Sequence, residues 1–157
     1  MDKAQEKFIL DLLRRHKSMS FATVRPDGFP QATTVTYANE GLDLYFCCDV
    51  ASQKAKNLRK CDKVSATIDR YTGDWNKIKG LSLGGHAQLL KGKREREHAC
   101  ALLAKKFPEM GDCPPNDPAW AFVRVRPSVI SLLDYTQGFG HTELVKVTPP
   151  GRTAQGK

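Results

Sequence analysis

A chain of 157 residues has the length of one domain with a single hydrophobic core and is short for two independent ones. Its formal net charge of +8 favours an anionic partner, a role that a phosphate-bearing small molecule, a nucleic acid or an acidic membrane face would fill equally well. No run of about 18 apolar residues occurs and no basic tract leads into an apolar one after Met1, so a membrane span and a secretory leader are not expected and a cytoplasmic protein is.

Phe8, Ile9, Leu12 and Leu13 recur at helical spacing between charges and predict an amphipathic helix over residues 3–16 that lies on a sheet. Residues 20–24 and 31–37, rich in β-branched side chains, flank Pro26-Asp27-Gly28 and read as a hairpin with Asp-Gly at its tip. Asn39-Glu40-Gly41 turns the chain into a strand over residues 42–48, so the first three strands are expected to form a meander. Residues 52–60 predict a short helix, and Val64, Ala66 and Ile68 alternate along a fourth strand. A polar loop over residues 71–79 leads to Leu81, Leu83, Gly85, Ala87 and Leu89, a long fifth strand in which Gly84-Gly85 marks a bulge or a close backbone approach.

A third helix over residues 93–107 carries Cys100, Leu103, Ala104 and Phe107 on one side. Residues 120–135 give a last long strand, bent near Pro127, and then comes a glycine-rich loop over residues 136–141. Residues 144–147 are able to pair once more, and residues 149–157 read as a disordered tail after a domain over residues 1–148. Antiparallel strands with helices inserted between them indicate an α+β, mainly β domain or a partly open barrel, not a parallel doubly wound sheet.

The five cysteines, Cys47, Cys48, Cys61, Cys100 and Cys113, are odd in number and scattered, without Cys-x-x-Cys. They read as reduced thiols, and no metal site is expected. Neighbouring Cys47 and Cys48 point to opposite faces of a strand, which makes joint coordination awkward.

The segment FCCDVASQKAKNL, residues 46–58, carries the chain from a strand into a basic helix. Ser52 suits an N-cap, and free N–H groups, a hydroxyl and the Lys54 ammonium together make an anion site for which phosphate is the natural guest. Helix geometry alone favours the plainer reading, a cap with surface charge around it. Ala55 and Leu58 face the core, while Lys56, Arg59 and Lys60 point to water. Lys54, Lys56, Arg59, Lys60 and Lys63, extended by Lys91, Lys93, Arg94 and Arg96, would form a nucleic-acid stripe, but no nucleic-acid motif accompanies them and no such partner is expected.

Four runs in order resemble the pyridoxamine 5′-phosphate oxidase-like family of FMN-binding split barrels: FATVRPDGFP (21–30), LYF (44–46), SQKAKNL (52–58) and KVSAT (63–67). The likeness covers about residues 5–135. It implies a six-stranded antiparallel split β-barrel with flanking helices, and a homodimer with FMN in a groove between the subunits. By the same likeness Ser52, Gln53 and Lys54 fall where the family's Ser-Arg-Lys run holds the FMN phosphate, with Gln53 in place of arginine. The second strand, here Gln31, Thr33, Thr34, Val35 and Thr36, would lay its backbone along the flavin ring. Cys47 and Cys48 would reach the cofactor from a strand end where a hydroxyl-bearing pair is common. His141 lies where the family often places contacts from the partner subunit, although a surface histidine in a turn is an equal reading.

His86 reads as a packed or edge histidine, His16 and His98 as solvated, and Trp75 and Trp120 as packing groups. Leu132-Leu133-Asp134-Tyr135-Thr136-Gln137 lacks the arginine pair of true pyridoxine phosphate oxidases, so vitamin B6 oxidation is not expected. The expected function is that of an FMN-dependent oxidoreductase of open substrate, with no catalytic residue assigned and Tyr135 and His141 as candidates. A flavin-binding electron carrier without turnover is the alternative, as is a relative that uses deazaflavin or haem, with His86 or His141 as the haem-ligand candidates.

Overall fold

The computed structural model describes residues 1–69, 72–111 and 114–148. Its elements run α1 (Lys3–Arg15), β1 (Ser18–Val24), β2 (Pro30–Thr36), β3 (Ala38–Glu40), β4 (Asp43–Asp49), α2 (Gln53–Leu58), β5 (Lys63–Asp69), β6 (Lys79–Leu89), α3 (Lys93–Lys106), β7 (Trp120–Asp134) and β8 (Thr142–Lys146). The strands form one antiparallel sheet in the order β2-β1-β5-β6-β7-β4-β3, with β8 also on β7, curled into a split barrel. Six long strands build the barrel, and the short β3 and β8 extend it. Tyr71 and the segment 149–157, read above as loop and tail, lie outside the described residues, as does Cys113.

The expected meander does not form. β1 and β2 make the hairpin, but β4 pairs with β3 and β7 and not with β2. The cause lies at Tyr37 and Ala38, consecutive residues exposed by only 0% and 2%. A flat meander would turn one of them to water. Here the chain leaves β2 instead, Tyr37 enters the barrel core, and Ala38 joins a second apolar cluster under α3.

The main core fills the barrel with Phe21, Phe46, Ile68, Leu83, Val123 and Ile130, and α1 plugs one end with Ile9, Leu12 and Leu13. α1 begins in a capping box made by Asp2 and Gln5. At its other end the Leu13 carbonyl accepts from the Tyr37 hydroxyl at 3.0 Å and from Lys106 Nζ at 2.8 Å. The second cluster sits between α3 and the outer face of β3, β4 and β7. Its helix side is Ala99, Leu103 and Phe107, with Cys100 half-buried, whereas Ala104 is exposed, contrary to expectation.

Gly84-Gly85 marks the place where the β6–β7 register shifts, Gly84 facing Val129 and Gly85 facing Pro127. Ser128 is the extra residue and bends β7 beside Pro127. A Cβ on Gly85 would press against the Arg126 carbonyl and stand 2.8 Å from the Pro127 Cα, so only glycine fits that crossing.

Candidate functional site

The strand-to-helix junction is built by short polar contacts. The Asp49 carboxylate accepts the Ala51 N–H at 2.6 Å and tightens the turn out of β4. Ser52, with extended backbone, accepts from the Ala55 N–H at 3.4 Å and caps α2. In a helix of six residues the first N–H groups, those of Gln53 and Lys54, have no intrahelical acceptor. Lys54 is half-buried, while Lys56, Arg59 and Lys60 are exposed. Burial pushes the Cys48 thiol up, and the Ser52 hydroxyl and the Lys54 ammonium pull it the other way.

The two cysteines part company. Cys48 is buried in the barrel core beneath Ser52. Cys47 faces the opposite way and packs on the cluster under α3, where Cys100 also packs. The two thiols thus lie on opposite faces of β4, as expected for neighbours in a strand.

β2 ends the sheet, and among the described residues one of its edges has no strand partner. Its side chains alternate. Gln31, Thr33 and Val35 turn inward, with Val35 in the core, and Thr34 and Thr36 are exposed. Contact by way of Val35 is therefore restricted to backbone.

A polar network that the sequence pattern does not announce ties this region together. Asn57, fully buried in α2, donates to Thr23 Oγ1 at 2.9 Å and to Gln31 Oε1 at 3.3 Å, and accepts from Gln53 Nε2 at 2.8 Å. Gln53 is thus turned back along its own helix and offers an anion its backbone, not its amide. An asparagine four residues after a glutamine, on the side of the helix that carries Ala55 and Leu58, was the available signal.

His141 stands elsewhere. Asp49 pairs with Trp120 at one end of β7, and the His141 carbonyl accepts from the Asp134 N–H at the other. The 15 residues between amount to on the order of 45 Å of extended strand at ~3.3 Å each. His141 therefore lies at the opposite end of β7 from the junction. Its ring contacts Glu143 at 3.2 Å.

The other histidines are held too: His86 by Asp62 and His98 by Glu40, each at 3.0 Å, and His16 by the Leu12 carbonyl at 3.0 Å, half-buried rather than solvated. Trp75 does not pack inside. It is exposed with Phe139, 6.1 Å between ring centroids, and Tyr135 lies 5.2 Å from Phe139. Trp120 is exposed as well.

The junction offers a hydroxyl, an ammonium, two backbone donors and a neighbouring open strand edge. That donor set suits a phosphate with a hydrogen-bonding ring attached. The Asp49 carboxylate also acts on the Cys48 thiol, but it is engaged by the Ala51 N–H at 2.6 Å.

A family model described as pyridoxamine 5′-phosphate oxidase matches residues 5–134. No curated protein sequence matches the chain. A conserved hypothetical protein from Mycobacterium tuberculosis shares the fold with a TM-score of 0.74 at 21% identity, over 98% of this chain and 95% of that one. A putative pyridoxamine 5′-phosphate oxidase from Listeria innocua aligns with a TM-score of 0.69 at 22% identity, over 83% and 98%. The haem storage protein from Vibrio cholerae aligns with a TM-score of 0.62 at 18% identity, over 78% and 89%.

Proposed function

This chain belongs to the pyridoxamine 5′-phosphate oxidase family, and from that premise we propose that it is an FMN-binding flavoprotein that works as an oxidoreductase. The observation that carries the proposal is the half-buried Lys54 beside Ser52 and Cys48, next to an open sheet edge. Lys54 and the N–H groups of Gln53 and Lys54 hold the phosphate, and the Ser52 hydroxyl, which bonds Cys48 and accepts from Ala55, stands beside them. Backbone groups of residues 31–36 orient the ring, with Thr33 as its inward-facing neighbour. Cys48 closes the floor and keeps water from the phosphate. Bound flavin supplies hydride or single-electron transfer, so the protein's part is binding and orientation.

Each junction is completed by a second copy of the chain, which brings His141 to the ring from its far end. Residues 1–148 act as one domain in that dimer. The absence of the substrate-binding arginine pair between residues 132 and 141 argues against vitamin B6 oxidation.

A second reading, haem binding, draws support from the similarity to the Vibrio cholerae haem storage protein, with His141 as the candidate ligand. The absorption spectrum of the purified protein decides between them. An oxidised-flavin spectrum supports FMN, whereas a Soret band supports haem and removes the flavin proposal. Turnover with NADH or NADPH and an acceptor then separates an enzyme from an electron carrier.

A further inference from the structure

A groove of about 660 Å³ opens on the far side of α2 from the junction and shares no residue with Ser52, Gln53 or Lys54. Its apolar floor is Leu58, Ala87 and Leu89. Four permanent cations line it, Arg59, Lys91, Arg124 and Arg126, against the single carboxylate of Asp62. Such an imbalance inside a concavity concentrates field on an entering anion.

The β6–β7 register builds the wall. His86 faces Arg126 and Gln88 faces Arg124, so four polar side chains stand in a two-by-two array on the outer face of the barrel. Two guanidiniums lie two residues apart on one face of β7, roughly 7 Å along the strand. Arg126 has a carboxylate partner in Asp43 at 3.5 Å. Arg124 has a longer one in Glu95 at 3.9 Å, and it also donates to Gln88 Oε1 at 2.6 Å and bonds the Tyr45 hydroxyl beside it, which burial pushes up and Arg124 pulls back.

The Arg124 side chain is only 17% exposed, and its Nε is the one buried side-chain polar atom without a hydrogen-bond partner among the described residues. The Nε is closed to solvent, so an anion in the groove would meet Arg124 at its terminal nitrogens and add negative charge beside a largely desolvated guanidinium. Asp62 engages His86 Nδ1 at 3.0 Å and leaves Nε2 for a ligand.

We propose that this groove is a second anion site, which binds a small organic phosphate with its phosphoryl group against Arg124 and Arg126 and its carbon body on the Leu58, Ala87 and Leu89 floor. The volume is that of a small-molecule pocket. Lys93 and Arg94, which a nucleic-acid stripe would recruit, do not line it.

Titration calorimetry of the full chain with adenosine 5′-monophosphate and with adenosine tests the site. The nucleotide is expected to bind, and adenosine to bind at least about tenfold more weakly for want of its phosphoryl group. Arg126→Gln and Lys91→Ala, both at exposed positions, are expected to weaken the nucleotide by a similar factor, whereas Lys54→Ala leaves it unchanged. The backbone amides of Gln88 and Arg124 are expected to shift in NMR spectra as the nucleotide is added. No binding at millimolar nucleotide overturns the proposal. So does loss of binding in Lys54→Ala with retention in Arg126→Gln, which would place the nucleotide at the junction, and so does binding of a single-stranded oligonucleotide without binding of the mononucleotide.

Discussion

Asn57 Nδ2 donates to Thr23 Oγ1 at 2.9 Å, a buried bond that fastens α2 to β1 and so fixes where the Ser52–Lys54 turn lies above the barrel. Thr23 is 2% exposed and Asn57 0%, so the loss of either partner leaves a polar group without water. Asn57→Ala is expected to lower stability by about 2–3 kcal/mol, measured as a shift of the urea midpoint at constant slope. The pair Thr23→Val with Asn57→Leu is expected to cost less than the sum of its singles, because both ends of the bond are removed together. Additive effects would show that the bond does not couple α2 to β1.

Lys54 is the one half-buried cation of the α2 segment, and its loss should be felt by the ligand more than by the fold. Lys54→Ala is expected to weaken FMN by roughly 1.5–3 kcal/mol, about ten- to 150-fold, as the loss of one charge-assisted bond. Lys56→Ala, at an exposed position, is the control and should change little. Equal effects of the two substitutions would remove Lys54 from the site.

The two adjacent glycines of β6 should respond differently to a methyl group. At Gly85 the new Cβ meets backbone of Arg126 and Pro127, which the barrel wall fixes, and Gly85→Ala is expected to cost about 3 kcal/mol. At Gly84 the nearest atom is the Val129 Cγ1 at 3.3 Å, the end of a side chain, and Gly84→Ala is expected to cost under about 1 kcal/mol. Thermal or urea unfolding of the two variants measures the difference. An equal effect would mean that β7 does not close on β6 at that point.

Burial, with the Lys17 ammonium nearby, pulls Lys106 down to about 8 from 10.5, where its Nζ lies 4.1 Å from the Tyr37 ring centroid and donates to Leu13. The folded chain then holds fewer protons than the unfolded chain between these values, so stability rises with pH from about 8 upward. Tyr37 acts in the opposite sense: burial raises its hydroxyl above 10.0, the folded chain keeps a proton that the unfolded chain gives up, and stability falls above about pH 10. Lys106 is only half-buried, so solvent moderates its share. The urea midpoint is expected to climb between pH 8 and 9.5 in the wild type and less so in Lys106→Met. The same slope in both proteins would show that Lys106 is not the group responsible.

Most of the barrel was legible because its strands alternate cleanly. Val64, Ala66 and Ile68 turn inward in β5 as the period of two requires, and Asp-Gly closes β1 onto β2. Strand order was less so. Nothing local in residues 42–48 says that β4 seeks β7 across the barrel, since that pairing depends on where Tyr37 and Ala38 find their cores. At the site, the Ser52 cap and the distinction between Lys54 and its exposed neighbours followed from helix geometry. The roles of Asn57 and Arg124 did not, because a buried polar residue is recognised by partners that stand 34 and 36 residues away, Thr23 and Gln88.

Titration of the purified protein with FMN against riboflavin, followed by flavin fluorescence, shows whether a flavin phosphate is held at the Ser52–Lys54 turn. Saturable binding of one FMN per chain is expected, with riboflavin weaker by at least about tenfold because it lacks the phosphate. Equal binding of the two, or no binding of FMN, would contradict a flavin phosphate at that turn.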